Sequence, residues 1–281
     1  MSLADLAAEQ GLHRVGARPN FWRYLGEAWG RRDFVWAMAR FRLRADLEGN
    51  RLGVVWLILQ PMLNALIYGV IFYYLIGSNR PSDYAAHVVI GVFLFQFFSK
   101  SLSNGAKSIT GNQALVQSLA FPRITLPVGE VIEQLLSLLP SMGLLVVVLP
   151  FLGHWPKWEW LLLIPLLALF TLFNTGVALI AARLTVHVRD LTQLLPFISR
   201  ILFYTSGVLF DVNRLLDEYP ALLRLYDFHP LYQVLEMGRS VLMGGRDFNH
   251  LYWAYFSIWA VGTLVVGLLF FWAAEERYGR D

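Results

Sequence analysis

Three ionisable residues lie in otherwise apolar stretches of the sequence, where a charge is costly unless it has a partner or a function. Glu130 and Glu133 are three residues apart, so they share one face of a helix. Arg200 lies near the middle of another apolar stretch. Such groups line proton or ion paths in transporters, or pair with one another and with backbone carbonyl groups. For Arg200, pairing with a buried carboxylate or backbone carbonyl groups and lining a path both remain open. Glu130 and Glu133 are candidates for a functional role, such as proton coupling.

The motifs of common enzymes are missing from the sequence. It has no G-x-x-x-x-G-K-[ST] segment to hold nucleotide phosphates and no H-E-x-x-H segment to hold zinc. It has no cysteine, and its six histidines are scattered, so we expect neither thiol catalysis nor a metal site. Thr205-Ser206-Gly207 is similar to the Ser-Gly pair of intramembrane serine proteases, but Tyr204 precedes it where those enzymes have glycine. We therefore predict no catalytic residue and no cofactor bound by this chain.

The composition indicates a membrane protein. Hydrophobic residues make up 57% of the 281 residues and charged residues 15%. Soluble globular proteins have about 45–50% and about 25%. So few charges cannot cover the surface of a soluble protein of this size, which leaves lipid as the surroundings of much of the chain.

We predict an all-α membrane protein with six spans. They cover about 53–76, 85–107, 127–151, 160–182, 191–210 and 250–273. An N-terminal arm (1–51) precedes this permease domain (52–275), and a short tail (276–281) follows it. With both ends in the cytoplasm, the cytoplasmic segments carry 16 Lys and Arg residues and the outer loops six, as the positive-inside rule requires. Lys100 and Lys107 are expected to snorkel at the end of the second span.

The N-terminal arm contains an amphipathic segment. Helical spacing places its apolar residues on one face and Arg23 elsewhere; the apolar set is Phe21, Trp22, Leu25, Ala28 and Trp29. Such a helix lies in the membrane interface, where it is either an anchor or a docking surface for a partner or a lipid head group. The arm mixes six acidic residues with nine arginines, so we do not expect it to bind nucleic acid.

Several short strings occur in the order and spacing of one family of transport proteins. They are Arg32-Asp33, then Leu52-Gly53 with Trp56 and Pro61, Phe121-Pro122-Arg123 with Leu126-Pro127, Val188-Arg189-Asp190-Leu191, and His229-Pro230-Leu231-Tyr232 with Gly238-Arg239-Ser240. With these strings, the chain from about residue 20 to about 275 resembles the permease subunits of ABC exporters for lipid-linked polysaccharides. That family includes O-antigen (Wzm-type), teichoic-acid and actinobacterial galactan exporters. Its members usually have Asn where His229 stands.

The resemblance assigns roles to several segments. It implies that the stretch before Pro122 forms a short coupling helix that contacts a separate ATPase, with Asn112, Gln113, Leu115, Val116, Ser118, Leu119, Phe121 and Arg123 as contact residues. An ordinary cytoplasmic turn is the alternative. It also implies that Phe21, Trp22, Arg23, Leu25 and Trp29 belong to an interface helix where the substrate enters. The outer loop of about 211–250 would form short re-entrant helices; its segment Leu231 to Val241 is amphipathic and is followed by Gly244-Gly245.

Aromatic side chains suggest a path for a glycan. The C–H faces of sugar rings stack on aromatic rings, and we expect Tyr68, Phe72, Tyr73, Tyr204 and Phe210, together with Arg200, to line a channel. Packing between helices or exposure to lipid is the alternative for each of them. A subunit with six spans is expected to form a symmetric homodimer with the path near its two-fold axis.

The sequence therefore predicts the membrane subunit of an ATP-driven exporter of lipid-linked polysaccharide in a bacterial inner membrane. Its expected partners are two copies of a P-loop ATPase, which bind ATP and Mg, a second copy of itself, the glycolipid substrate and membrane lipid. The alternatives are a permease that exports drugs or lipids, a membrane-embedded enzyme, and a proton-coupled carrier that uses Glu130, Glu133 and Arg200.

Overall fold

The computed structural model describes residues 20–48, 51–77, 83–118, 121–244 and 249–275. Within these ranges the chain forms helices and turns, without strands. The α-helices are α1 (Phe21–Gly30), α2 (Arg32–Glu48), α3 (Val55–Ile76), α4 (Tyr84–Lys107), α5 (Gln113–Ser118), α6 (Thr125–Val148), α7 (Leu163–His187), α8 (Leu191–Thr205), α9 (Val212–Leu215), α10 (Pro220–Asp227), α11 (Pro230–Met243) and α12 (His250–Trp272). Short 3-10 turns at Thr110–Asn112, Leu149–Leu152 and Trp158–Leu162 adjoin α5, α6 and α7.

Five helical segments in the described part of the chain are long and apolar enough to cross a membrane. They are Val55–Leu75, Tyr84–Lys107, Thr125–Leu152, Trp158–His187 and His250–Trp272. This confirms the predicted all-α membrane protein. The helix of the fourth predicted span continues beyond Ala182, since α7 ends at His187. The guanidinium group of Arg183 lies 3.8 Å from the centre of the Phe270 ring and donates to the Phe270 carbonyl group, so its charge does not end the helix.

Among the predicted spans, the fifth differs most from the structure. Its helix α8 ends at Thr205 rather than at residue 210, and 15 residues extend about 22 Å. That is shorter than the roughly 30 Å of a bilayer core. The chain turns at Ser206 and Gly207, and Gly207 has a positive φ of 75° that suits glycine. The length of α8 alone therefore does not establish a crossing.

Helix α4 lies at the centre of the bundle and packs against α3, α6, α7, α8 and α11. Its buried side chains join those of α7 and α12 in a cluster of phenylalanine rings: Phe97, Phe98, Phe170, Phe173 and Phe256. The ring centroids in this cluster are 5.2–6.5 Å apart. At these distances aromatic pairs stabilise the fold beyond their buried area.

Helices α7 and α12 meet at two glycines. A Cβ atom added to Gly176 would lie 2.4 Å from the Thr263 carbonyl carbon, and one added to Gly267 would lie 2.5 Å from the Gly176 carbonyl oxygen. The two backbones are therefore in direct contact. Small residues allow this close approach, which is a main source of helix association in membranes.

Candidate functional site

Helix α1 packs on the end of the bundle that also carries α5 and Glu275, which we call the inner end. Tyr24 is 1% exposed, and its hydroxyl group donates to Glu275 at 2.8 Å and accepts from the Ile124 amide at 3.2 Å. The Arg123 amide and guanidinium group also donate to Glu275. The start of α1, the Phe121-Pro122-Arg123 segment and the residues after the last span therefore form one junction.

The amphipathic segment of the arm forms helix α1. Its buried residue is Tyr24, which the sequence pattern did not single out. Phe21 and Leu25 are half-buried, and Trp22 and Trp29 are exposed. The reason is the hydrogen bonding of the Tyr24 hydroxyl group to Glu275, which turns that side of the helix towards the protein. Burial raises the pKa of Glu275, and its hydrogen bonds oppose that rise. Arg23 is exposed and pairs with Glu27.

The predicted coupling segment forms a short helix. The turn at Thr110–Asn112 leads into α5, which ends at Ser118; Leu119 lies outside the described residues. Gln113, Ala114, Gln117 and Ser118 are exposed, whereas Val116 is 4% exposed and packs in the inner cluster with Tyr24. Leu115 and Phe121 are half-buried against the same cluster. The surface available to a partner therefore includes Ala114 and Gln117, which the sequence did not single out.

Arg42 connects α5 to the body of the protein. Its guanidinium group forms an ion pair with Glu130 of α6 and donates to the Asn112 side chain at 3.0 Å. The Asn112 amide in turn donates to the Ser108 carbonyl group at 2.7 Å. Helices α2 and α6 and the turn that leads into α5 meet at this arginine. Glu130 is thus the ionic partner of Arg42.

Glu133 lies one turn further along α6 and faces a cavity. The cavity has a volume of about 410 Å³ and lies between α2, α3, α4 and α6; its polar and aromatic lining includes Asp46, Trp56, Gln60, Lys100, Glu133 and Gln134. Lys100 donates to Gln60 at 3.3 Å, and Gln134 donates to Glu133 at 3.3 Å. Lys107 is exposed, and Lys100 lines the cavity. The neighbouring Gln60 and Glu133 give the Lys100 ammonium group polar surroundings in place of solvent.

The predicted channel residues converge only in part. Rings from α3 and α8 meet at Tyr68 with Phe203 (5.0 Å between centroids) and at Phe72 with Tyr204 (6.3 Å). Tyr73 contacts Tyr84 of α4 instead, and Phe210 packs against the core. Phe203, which also contacts Phe95, links α3, α4 and α8, although sequence reasoning did not select it. Arg200 is exposed on the face of α8 that also carries Tyr204.

The outer loop holds a buried arginine. Arg239 of α11 is 0% exposed, and its guanidinium group donates to the carbonyl groups of His87, Gly207 and Val208 at 2.9–3.3 Å. It also pairs with Glu236 at 2.7 Å. One side chain thus holds α11, the first turn of α4 and the turn after α8 together. Nearly every side of α11 is buried, so the segment with an amphipathic sequence is enclosed by protein.

His229 begins α11. Its Nδ1 atom accepts from the Tyr232 amide at 3.2 Å, so the ring caps the helix N-terminus. Asparagine is among the best residues for this task, because its side-chain oxygen accepts the same bond. Histidine at this position therefore keeps the function that Asn would have as a cap.

The comparisons with known proteins agree on one class. The sequence model of the ABC-2 type transporter family matches residues 34–243. The O-antigen export system permease protein RfbA of Klebsiella pneumoniae is 26% identical over 248 residues, which are 88% of this chain and 93% of that protein. Its namesake in Myxococcus xanthus is 28% identical over 70% of this chain and 75% of that protein. The polysialic acid transport protein KpsM of Escherichia coli is 23% identical over 83% and 90%.

Proposed function

Because the chain belongs to the ABC-2 type transporter family, we propose that it carries a lipid-linked polysaccharide out of the cytoplasm as the membrane subunit of an ATP-driven exporter. It is a multi-pass protein of the bacterial inner membrane and the transmembrane subunit of a polysaccharide exporter. The names of its relatives, which export O-antigen and polysialic acid, favour a polysaccharide over a drug or a simple lipid.

Six crossings agree best with the contacts at the inner end. Tyr24 precedes the first span and Glu275 follows the last, and the two side chains are hydrogen-bonded at 2.8 Å. Both ends therefore lie on one side of the membrane, which requires an even number of crossings. Five spans are long enough on their own. Helix α8 supplies the sixth crossing. It starts beside the inner end of α7 and leads to Gly207, next to the first turn of α4.

A separate ATPase subunit supplies the energy. The chain has no nucleotide-binding motif, so ATP and Mg bind to that partner. The exposed side of α5 offers it a docking surface at the inner end. Arg42 joins Asn112 to α2 and to Glu130, so a displacement of α5 reaches two further helices through hydrogen-bonded contacts.

Arg200 supports a homodimer with a central path. It lies about 13 Å from the start of α8 along the helix axis, and among the described residues no ion pair or hydrogen bond is found for it. A charged side chain at this depth cannot favourably face lipid. We infer that this face of α8, with Tyr204, meets a water-filled path shared with a second copy of the chain.

The exposed tryptophans of α1 suit a lipid-linked substrate. Trp22 and Trp29 are more than two-thirds exposed at the inner end of the bundle. Tryptophan side chains favour the head-group region of a membrane. They would hold α1 at the depth where the lipid anchor of the glycan meets its first sugars.

Depletion of the protein tests the proposed export function. Lipid-linked polysaccharide is expected to accumulate in the cytoplasmic leaflet while surface polysaccharide falls, because synthesis continues without export. Extraction of glycolipids and analysis of their glycans measure both quantities. Expression of the wild-type chain from a plasmid must restore them. A normal level of lipid-linked polysaccharide after depletion would contradict the proposal.

Substitution on α5 tests the coupling assignment. Ser118→Arg places a charge on the proposed docking surface and should weaken co-purification of the ATPase about tenfold or more, since an unpaired charge at an interface is costly. Gln193→Arg is the matched control, because it adds the same charge at an exposed position at the start of α8. Both variants should retain the thermal stability of the wild type, whereas Val116→Asp should lose it. Unchanged ATPase binding by Ser118→Arg would show that α5 is an ordinary turn.

The proton-carrier alternative lacks a continuous set of groups. Glu130 is paired with Arg42, Glu133 faces the inner cavity, and Arg200 lies on the exposed side of α8. No described contact joins Arg200 to either glutamate. The enzyme alternative has no better basis, because the buried Ser206 hydroxyl group has no hydrogen-bond partner among the described residues that could serve as its base.

A further inference from the structure

The cavity beside Glu133 has the size and the lining of a ligand site. Its volume of about 410 Å³ lies within the usual range for small-molecule pockets, roughly 300–1,000 Å³. The cavity lies at the inner end. Its lining includes Asn104, which is one turn from the end of α4, and residues of α2, which precedes the first span. The Arg42–Glu130 pair and the coupling helix α5 do not occupy it. The function described so far leaves this cavity unused.

The polar groups of the lining match hydroxyl groups. Gln60, Asn104 and Gln134 each carry an amide that both donates and accepts, as a hydroxyl group does, and Ser137 adds a hydroxyl of its own. The carboxylate groups of Asp46 and Glu133 accept from hydroxyl groups in strong charge-assisted bonds. A purely apolar ligand would form none of these bonds.

Trp56 adds a flat apolar surface to the same cavity. It lies at the start of α3 and is 38% exposed. The C–H face of a pyranose ring packs on such an indole, while the ring hydroxyl groups point sideways to polar partners. An aromatic platform beside amides and carboxylates is therefore the arrangement that a sugar needs. Leu43, Leu47 and Leu57 complete the apolar part of the lining.

The charges favour a neutral sugar. Asp46 and Glu133 interact with the cations Lys100 and Arg42, so the charges around the cavity balance one another. A phosphate, a uronate or a sialic acid would find no cation left to pair with it, and an unpaired buried charge is costly. A neutral pyranose avoids that cost.

The lining is already ordered. Lys100 is hydrogen-bonded to Gln60. Gln134 is 5% exposed and donates to Glu133. A water-sized cavity of about 20 Å³ continues past Lys100, Gln134 and Ser137. One ordered water fits there and would satisfy the inner polar groups. A site whose side chains are held in place binds with a smaller loss of freedom.

We propose that this cavity binds one uncharged pyranose unit of the exported glycan on the cytoplasmic side, with Trp56 as the stacking surface. The inference rests on the proposed export function. It gives the chain a second point of contact with its cargo, inside one subunit and separate from the path along α8.

Sugar binding is measured on the chain assembled with its ATPase subunit in lipid nanodiscs. Saturation-transfer NMR titrations with methyl α-glucoside, methyl α-galactoside, methyl α-mannoside and methyl α-glucuronide give the dissociation constants. At least one neutral glycoside should bind, and the glucuronide should bind about tenfold more weakly or not at all. Equal binding of the glucuronide, or no binding of any neutral glycoside, would overturn the proposal.

Matched tryptophan variants locate the binding. Trp56→Ala should weaken the neutral glycoside about tenfold or more, as truncation of a central tryptophan does. Trp56→Phe keeps an aromatic surface and should retain most of the affinity, which also shows that the fold survives. Trp158→Ala is the control, because Trp158 is 88% exposed in the loop at the opposite end. Wild-type affinity in Trp56→Ala would place the sugar elsewhere and overturn the proposal.

Export in cells separates the two possible sources of the sugar. If the sugar belongs to the exported glycan, Trp56→Ala should lower export while the ATPase still co-purifies. Normal export by a variant that has lost binding would mean that the cavity holds a free sugar, and it would overturn the assignment to cargo. If depletion causes glycolipid to accumulate but no neutral glycoside binds, only this inference fails. If depletion has no effect, the proposed function itself fails.

Discussion

Replacing Arg239 with methionine is expected to lower the free energy of unfolding by about 3–5 kcal/mol, the usual cost of removing one partner from a buried ionic network. Methionine fills much of the space but donates no hydrogen bond. The carbonyl groups of Gly207 and Val208 would lose the guanidinium donor that now lies 2.9–3.0 Å away. Glu236 would lose its buried cationic partner. The contact between α11, α4 and the turn after α8 would loosen, and with it the outer end of the proposed path.

Thermal unfolding of the purified protein in detergent measures this effect, and the amount of surface polysaccharide measures its consequence in cells. Arg239→Lys keeps the charge but reaches fewer acceptors, so its thermal stability should lie between those of Arg239→Met and the wild type. Glu236→Gln leaves the three carbonyl contacts intact and should cost less than Arg239→Met. An Arg239→Met protein with wild-type thermal stability would show that the buried network does not hold the outer loop.

Replacing Gly176 with valine is expected to destabilise the protein as severely as Arg239→Met. A Cβ atom alone would lie 2.4 Å from the backbone of α12 at Thr263, so the two helices must separate. Overpacking of a well-packed interface typically costs about 1–3 kcal/mol. Here the obstacle is backbone on the partner helix, which cannot rotate away as a side chain can, so we expect about 3 kcal/mol or more. Folded, export-competent protein should fall correspondingly in membranes.

Gly262→Val is the matched control for this prediction. Gly262 lies on the same helix α12, but a Cβ atom there would meet nothing within 4 Å. The substitution should leave thermal stability within about 0.5 kcal/mol of the wild type, as surface changes usually do. Both variants are compared by thermal unfolding and by the yield of protein that remains monodisperse after extraction. Equal behaviour of the two variants would refute the close contact between α7 and α12.

The helices were predictable because long uncharged stretches separate polar ones in the sequence. The segments that became α3, α4, α6 and α12 were located to within a few residues, since a span must be about 20 apolar residues long. The shared face of Glu130 and Glu133 followed from helical periodicity alone. The contact of Arg183 with Phe270 was not predictable, because one sequence does not reveal which neighbouring helix holds a charge near a helix end.

It was much less predictable which side of each helix packs against its neighbours. In water the packed face of a helix is apolar and the other face polar, so periodicity identifies it. In lipid both faces are apolar, and contacts depend on small residues and hydrogen bonds between distant segments. The Gly176–Gly267 contact and the environment of Arg239 are of this kind. Tyr24 escaped notice for the same reason, because its partner Glu275 is 251 residues away. The cavity around Trp56 required four helices to be in place before its lining could be recognised.

The bond between Tyr24 and Glu275 also bears on how the protein is made. Ribosomes add about 5–20 residues per second, so α1 waits roughly 12–50 s for the residue that completes its docking site. During that time all the spans are inserted. The finished inner surface, with α1 seated on Ile124 and Arg123, therefore exists only in a fully synthesised chain, and an ATPase that recognises this surface would not engage a nascent or truncated permease.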